Sequence, residues 1–365
     1  MELKKTSSFQ MTFLVFMPII STAVLTIPSV TFKHAGRDLW ISPILASVSG
    51  MFTAFIVYRL HKLFPNETII QYSRHIVGGV LGKVIGFIYL FYFLYVSGLI
   101  EREYADFVII SFLPNTPLSV VIGSIVLVSA FAVRSGLEVL GRISQLFFPI
   151  YMLPFFLLLL LIPDFDVENM LPILEKGIGP PIRGAIQPAL WFNQVFLISM
   201  LLPFLTDREK GRKWSLVAVF VGMLTMLYLN FVNLFLFGES ISTYTYPVFY
   251  AFRYISVATF FERFESVVIV IWVMGVFLKL SVFYYVLSFG TAQILQLTDH
   301  RPFVYPLGLL MILFGLWASP GLPELVKTIE RIIPFAETFV FVFIPFMLLL
   351  LAKARKKKAE PAKRW

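Results

Sequence analysis

Uncharged apolar runs close to twenty residues long recur from one end of this 365-residue chain to the other. Each is long enough to cross, as a helix, a hydrocarbon core about 30 Å thick. Inside that core every backbone N–H and C=O must be satisfied within a helix or a closed barrel. Barrel strands alternate apolar and polar residues in segments of about ten. These runs are instead continuous and rich in Leu, Phe, Ile and Val. The fold class that follows is an all-α integral membrane protein. Charge agrees, since only 14% of the residues are charged, against about 25% in soluble proteins.

The runs place ten transmembrane helices at 9–32, 39–62, 80–112, 118–133, 141–162, 184–206, 214–238, 265–297, 302–318 and 333–352. They form a single membrane domain, 9–352, between a short N-terminal tail, 1–8, and a basic tail, 353–365. The first run lacks a small-residue cleavage site and reads as a retained span rather than a signal peptide. With both termini cytoplasmic, most of the 30 lysines and arginines fall on the cytoplasmic side and most of the 21 acids on the other. That is the distribution of the positive-inside rule. The net charge of +9 therefore reflects topology and predicts no nucleic-acid partner. The tail "KARKKKAEPAKRW" reads either as a topology signal or as a hold on anionic membrane lipids.

Much chemistry is excluded. The chain has no cysteine and four scattered histidines, so no thiolate, disulfide or metal-ligand spacing exists. "GGVLGKVIG" has the wrong spacing for a phosphate loop and no Ser or Thr after its lysine. Its glycines Gly78, Gly82 and Gly86, four apart, share one helix face and predict close helix packing. No paired catalytic motif is present, and the sequence implies no enzyme, cofactor or metal.

The polar connection at 163–184 divides the spans five and five. Because five is odd, the second half enters the membrane from the opposite side, which is the arithmetic of an inverted repeat, 9–162 and 184–352. Such a repeat predicts interruptions in the first span of each half. In span one Pro18 and Pro28 bracket Ser21, Thr22, Ala23 and Thr26; in span six Pro188 and Pro203 bracket Asn193, Gln194 and Ser199. Proline frees a carbonyl, and irregular backbone at membrane depth lines a cavity. Ordinary proline kinks between packed helices are the alternative.

Lys279 stands alone in "WVMGVFLKLSVFYY", about 20 Å into span eight. A lysine so deep faces the bundle interior and needs a partner. Glu101, on span three, is a candidate for that partner, or else a solvated helix end. Tyr95, near the middle of the same span, either faces the central site or bonds a neighbouring backbone. Ser281 lies two residues from Lys279 and so points nearly the opposite way.

"STAVLTIPS", "ENMLPILEKGIGPPIRGA", "DREKGRKW" and "WVMGVFLKLSVFYY", in this order and with ten spans, resemble the GerAB-type B subunits of spore germinant receptors. That family lies in the amino acid–polyamine–organocation transporter superfamily. The resemblance covers residues 7 to 352. It implies a LeuT-like 5+5 inverted repeat with broken helices 1 and 6. It also implies a nutrient-sensing role in the inner membrane of the spore, with an A subunit and a lipoprotein C subunit as partners.

In such a fold the N–H groups at Thr22, Ala23 and Val24, beside Ser21 and Thr26, face an anionic group such as an amino-acid carboxylate. Carbonyls freed around Ala189–Asn193 take an ammonium. Asn193 supplies a donor and an acceptor, and Trp191 closes over an apolar side chain or simply packs. In sodium-coupled relatives, span eight and the break in span one bind the ion. The resemblance implies that Lys279 stands in for it, donating to carbonyls freed near Ser21–Leu25 and bracing the two halves, with Glu101 and Ser281 as further residues of that region. Family members often carry glycine where this chain has Ser21 and Ala23, so its pocket is narrower. The competing function on the same fold is a proton-coupled amino-acid permease.

Overall fold

A computed structural model describes residues 6–255 and 264–355. The basic tail from 356 onward lies outside them. The described chain is helical, and its single β pairing is an isolated parallel bridge between Thr6 and Leu205. In order the helices are α1 (Ser8–Ile20), α2 (Ala23–Ala35), α3 (Ile41–Leu63), α4 (Ile69–Val77), α5 (Gly79–Ser111), α6 (Leu118–Ser135), α7 (Leu137–Leu157) and α8 (Gly179–Asn193). There follow α9 (Ile198–Leu201), α10 (Gly211–Phe237), α11 (Pro247–Tyr254), α12 (Phe264–Ile294), α13 (Arg301–Trp317), α14 (Leu322–Arg331), α15 (Ile333–Thr338) and α16 (Ile344–Ala354).

Among the described residues eight helical segments are long and apolar enough to cross a membrane, and two bent pairs bring the number to ten. The first pair is α1 with α2, meeting at 49° across Ser21 and Thr22; the second is α13 with α14, at 102°. α13 runs on for 17 residues, about 25 Å, and α14 then turns aside. The span Gly179–Phe204 is 89% buried and Val268–Ile294 72%, against 22% for Leu137–Asp164. The first two are therefore central and the last lies at the apolar rim, where Phe156 and Leu160 are exposed.

Local sequence sets several of the boundaries. Ser7 starts α1 with a capping box: its Oγ accepts from Gln10 N at 3.2 Å, and its N–H donates to Gln10 Oε1 at 3.1 Å. Such reciprocal bonds satisfy donors that a helix start leaves open. Thr68 and Gln71 repeat the device at α4. Gly78, at φ +101°, takes a backbone conformation natural to glycine and separates α4 from α5. The expectation of three glycines on one helix face is thus corrected: Gly78 is the hinge, while Gly82 packs on the Arg74 backbone and Gly86 on Ile294.

Both ends of the described chain sit at one face of the bundle. There Thr206 N donates to Thr6 O at 3.0 Å, Arg208 to Pro65 O at 2.9 Å and Arg355 to Ile76 O at 2.8 Å. At the opposite face α14 is tied down by Lys33–Glu330 at 2.6 Å and by Gln187 Nε2 to Ile329 O at 3.1 Å. Between the faces the helices approach closely at glycines. A Cβ on Gly50 would come within 2.8 Å of Phe192, and one on Gly98 within 2.9 Å of Phe314. Small residues at such contacts are the usual means by which helices pack within a membrane.

Candidate functional site

The turn between α1 and α2 is fastened to one face of α12. Trp272, Gly275 and Lys279 follow a spacing of three and four, which aligns them on that face. Trp272 Nε1 donates to the carbonyl of Ser21 at 2.7 Å. Ser21 Oγ lies 2.8 Å from the carbonyl of Gly275 and 2.5 Å from that of Met17, between which its one proton is shared. Lys279 Nζ donates to Thr22 Oγ1 at 2.8 Å. Lys279 is 1% exposed. The ammonium therefore meets a hydroxyl, whereas sequence reasoning had given it backbone carbonyls. The Trp272 indole, two turns earlier on the same face, takes the Ser21 carbonyl.

Ser21, Thr22, Ala23 and Val24 are all buried, and Thr26 is half-buried. Thr22 precedes α2 without making a side-chain cap bond, so its hydroxyl is free to accept from Lys279.

Asn193, the last residue of α8, is 0% exposed. Its Oδ1 accepts from Ser49 Oγ at 2.7 Å and from Thr53 Oγ1 at 3.3 Å; its Nδ2 donates to Thr338 Oγ1 at 3.3 Å. Trp191 is buried beside it. The chain does not open here. α8 continues to Asn193 and tightens into a 3-10 turn over Gln194–Leu197, where Gln194 N donates to the carbonyls of Trp191 and Phe192. Pro188 removes one donor inside α8, and the turn downstream re-engages the carbonyls that the sequence had suggested were free.

The acids on α5 divide by face. Glu101 and Glu103 are two residues apart and so point to nearly opposite sides of the helix. Glu103 turns toward α12, where its charge and that of Glu337 act on Lys279. Glu101 turns toward α13 instead, against Gly315, whose missing Cβ would come within 2.7 Å of its Oε2. Its carboxyl is 0% exposed, and neither oxygen has a hydrogen-bond partner among the described residues. Glu101 is therefore not the partner of Lys279. Tyr95 stacks on the exposed Phe91, 6.5 Å between ring centroids; it is Tyr92 whose hydroxyl faces inward, 3.4 Å from Glu337 Oε2. Ser281 is fully buried with its hydroxyl unpartnered among the described residues, on a face other than that of Lys279.

Sequence reasoning missed Glu337, Glu103, Tyr92, Trp272 and Gly275. Glu337 carried the same signal as Lys279, a lone charge inside an apolar run. Trp272 and Gly275 were legible only as positions seven and four before the lysine. At the face bearing α14, a cavity of about 700 Å³ opens between the end of α2 and the start of α8, lined in part by Lys33, Arg37, Lys176 and Arg183.

A family model described as "Spore germination protein" matches residues 5–321. The chain is similar to spore germination protein YndE of Bacillus subtilis, 28% identical over 359 residues covering 97% of this chain and 98% of that one. It is similar also to spore germination protein KB of the same organism, 25% identical over 370 residues, 100% and 98% of the two chains. Spore germination protein A2, again from Bacillus subtilis, is 24% identical over 362 residues, 96% of each.

Proposed function

Since the chain belongs to this family of spore germination proteins, we propose that it is the nutrient-sensing membrane subunit of a germinant receptor. Its ligand is an amino acid or a similar small molecule, bound between the α1/α2 turn and Asn193. The observation that carries this reading is the fastening of that turn to α12 by Trp272, Gly275 and Lys279. A deeply buried ammonium is costly in a membrane core and is kept where it serves a site or pathway. Here it ties the bend in the first span to a helix from the other half of the chain.

In this reading the two halves are a LeuT-like 5+5 inverted repeat. The protein lies in the spore inner membrane with both termini cytoplasmic. It works with an A subunit and a lipoprotein C subunit. The free N–H groups at the start of α2 hold the ligand's carboxylate. Trp191 covers its side chain and Asn193 supplies polar contacts. Ligand shifts the α1/α2–α12 fastening only in so far as it binds one arrangement better than the other. The cavity by Lys33 and Arg183 provides the entrance.

The test is equilibrium binding of labelled amino acids to purified protein in liposomes, with uptake into the lumen measured in parallel. Saturable binding without uptake is expected. Uptake driven by a proton gradient would instead make the chain a proton-coupled permease, and absence of binding also in the assembled three-subunit complex would refute the sensor reading.

A further inference from the structure

Three ionisable groups from three parts of the chain act on one another at the centre of the bundle. Glu103 comes from α5, Lys279 from α12 and Glu337 from α15, and the charges of both carboxylates reach the one ammonium. Two carboxyl groups thus lie within electrostatic reach of a single amine. Arg102 does not redress this, because its guanidinium is spent on Asp106, with Nε 3.0 Å from each carboxylate oxygen. A second carboxyl that ionises here finds no further cation among these groups, and an unpaired charge in a membrane interior is costly.

Hydrogen-bond acceptors are in excess at the same place. Glu337 is 0% exposed. Tyr92 approaches its Oε2 at 3.4 Å, and the Gln194 side chain reaches the same carboxyl. Yet Glu337 Oε1 and Gln194 Oε1 are both buried with no partner among the described residues. Buried acceptors without donors are rare in native proteins and ask for an explanation. A primary ammonium supplies a positive charge together with three donors, which meets both deficits at once. A metal ion fits less well, since no group of three or more acidic or histidine ligands is present among the described residues.

The backbone adds a further sign. Thr338, the residue after Glu337, accepts from Asn193 at 3.3 Å. The chain then departs from α-helix into a π-helical turn over Phe339–Phe343, an irregularity frequent at functional sites.

The geometry points to Glu337 as the residue that binds the ammonium group of a primary-amine ligand, with Gln194 Oε1 as the second acceptor. This rests on the nutrient-binding reading given above and narrows it to ligands that carry a cationic amine. The α8 carbonyls at Trp191 and Phe192 already accept from Gln194 N, whereas Glu337 Oε1 and Gln194 Oε1 accept from nothing among the described residues.

Full-length wild-type protein and Glu337→Gln, purified in detergent, are compared by equilibrium binding. The probes are the labelled L-amino acids and the 2-hydroxy-acid counterparts of alanine, valine and leucine. The expected result is an affinity for the amine at least about tenfold weaker in Glu337→Gln. Hydroxy-acid binding is weak in both proteins. Tyr92→Phe, which removes the donor that orients the carboxylate, weakens amine binding several-fold. If wild type binds an amino acid and Glu337→Gln matches it within threefold, the assignment of Glu337 is overturned while the nutrient-binding reading stands. If wild type binds no amine, alone or in the assembled three-subunit complex, the Glu337 assignment falls, and the nutrient-binding reading falls with it only if none of the probes binds. If Glu337→Gln fails to elute as a folded species, Glu337→Asp and Tyr92→Phe decide, and wild-type affinity in both overturns the assignment.

Discussion

Gly275→Ala tests whether the close contact of α12 with α7 fixes the position of the α1 bend. A Cβ on Gly275 would lie 2.3 Å from Tyr151 Cε2 and 3.0 Å from Cδ2 and Cζ. Carbon atoms pack at about 3.5–4.0 Å, so the ring must retreat by more than about 1 Å. Tyr151 is 3% exposed and has no solvent to move into. Overpacking of this kind costs about 1–3 kcal/mol, a shift of about 5- to 150-fold in the folded population. The Gly275 carbonyl also accepts from Ser21 Oγ, so displacement of α12 is felt at the α1/α2 turn.

The assay is denaturant unfolding of purified protein in detergent, for the wild type and Gly275→Ala, each with Tyr151 and with Tyr151→Leu. Tyr151→Leu alone destabilises by opening a cavity. In that background Gly275→Ala is expected to cost under about 0.5 kcal/mol, because the smaller side chain leaves room for the new methyl. An equal cost in both backgrounds would refute the reasoning, since the penalty would then arise from something other than the ring.

Lys279→Met keeps an unbranched side chain only one atom shorter and removes the donor to Thr22. It should spare membrane insertion and weaken ligand response or subunit assembly, with a loss of about 1.5–3 kcal/mol for the charge-assisted bond; normal response at normal receptor level in spores would rule the brace out. Asn193→Leu strips partners from Ser49, Thr53 and Thr338 together, so unfolding measurements should show about 1–3 kcal/mol of destabilisation. Asp207 lies at the face that carries both ends of the described chain. Burial opposes its charge, but Ser8 donates to it from N–H and hydroxyl, each at 2.7 Å, and with Lys210 nearby its carboxyl is held below the usual 3.8. A depressed carboxylate lends stability above its unfolded value and loses it as pH falls through the folded one. A spin label attached to a cysteine at Thr6, in this otherwise cysteine-free chain, should therefore gain mobility only below that range, and Asp207→Asn should remove that pH dependence.

What the sequence determined by itself was the material of the fold. Continuous apolar runs can only be helices in lipid, because no other open structure satisfies their backbone, and ten such segments are what the chain has room for. A lone lysine in an apolar run already announced an interior site, since lipid tolerates no unpaired charge. Pro18 and Pro28 around Ser21 and Thr22 drew attention to the turn where the helices meet at 49°.

Tertiary structure decided the partners. Lys279 meets the Thr22 hydroxyl, while Trp272, two turns earlier on the same face, takes the Ser21 carbonyl. Glu101 and Glu103 look equivalent in sequence, yet a rotation of roughly 200° between them sends one to Gly315 and the other toward Lys279. Tyr92 rather than Tyr95 faces inward for the same reason of helical phase. Glu337 comes from the last span, far along the chain from Tyr92 and Lys279, and no local pattern links them. Spacing along one helix reveals which residues share a face; which face meets which across the bundle depends on how all the helices pack.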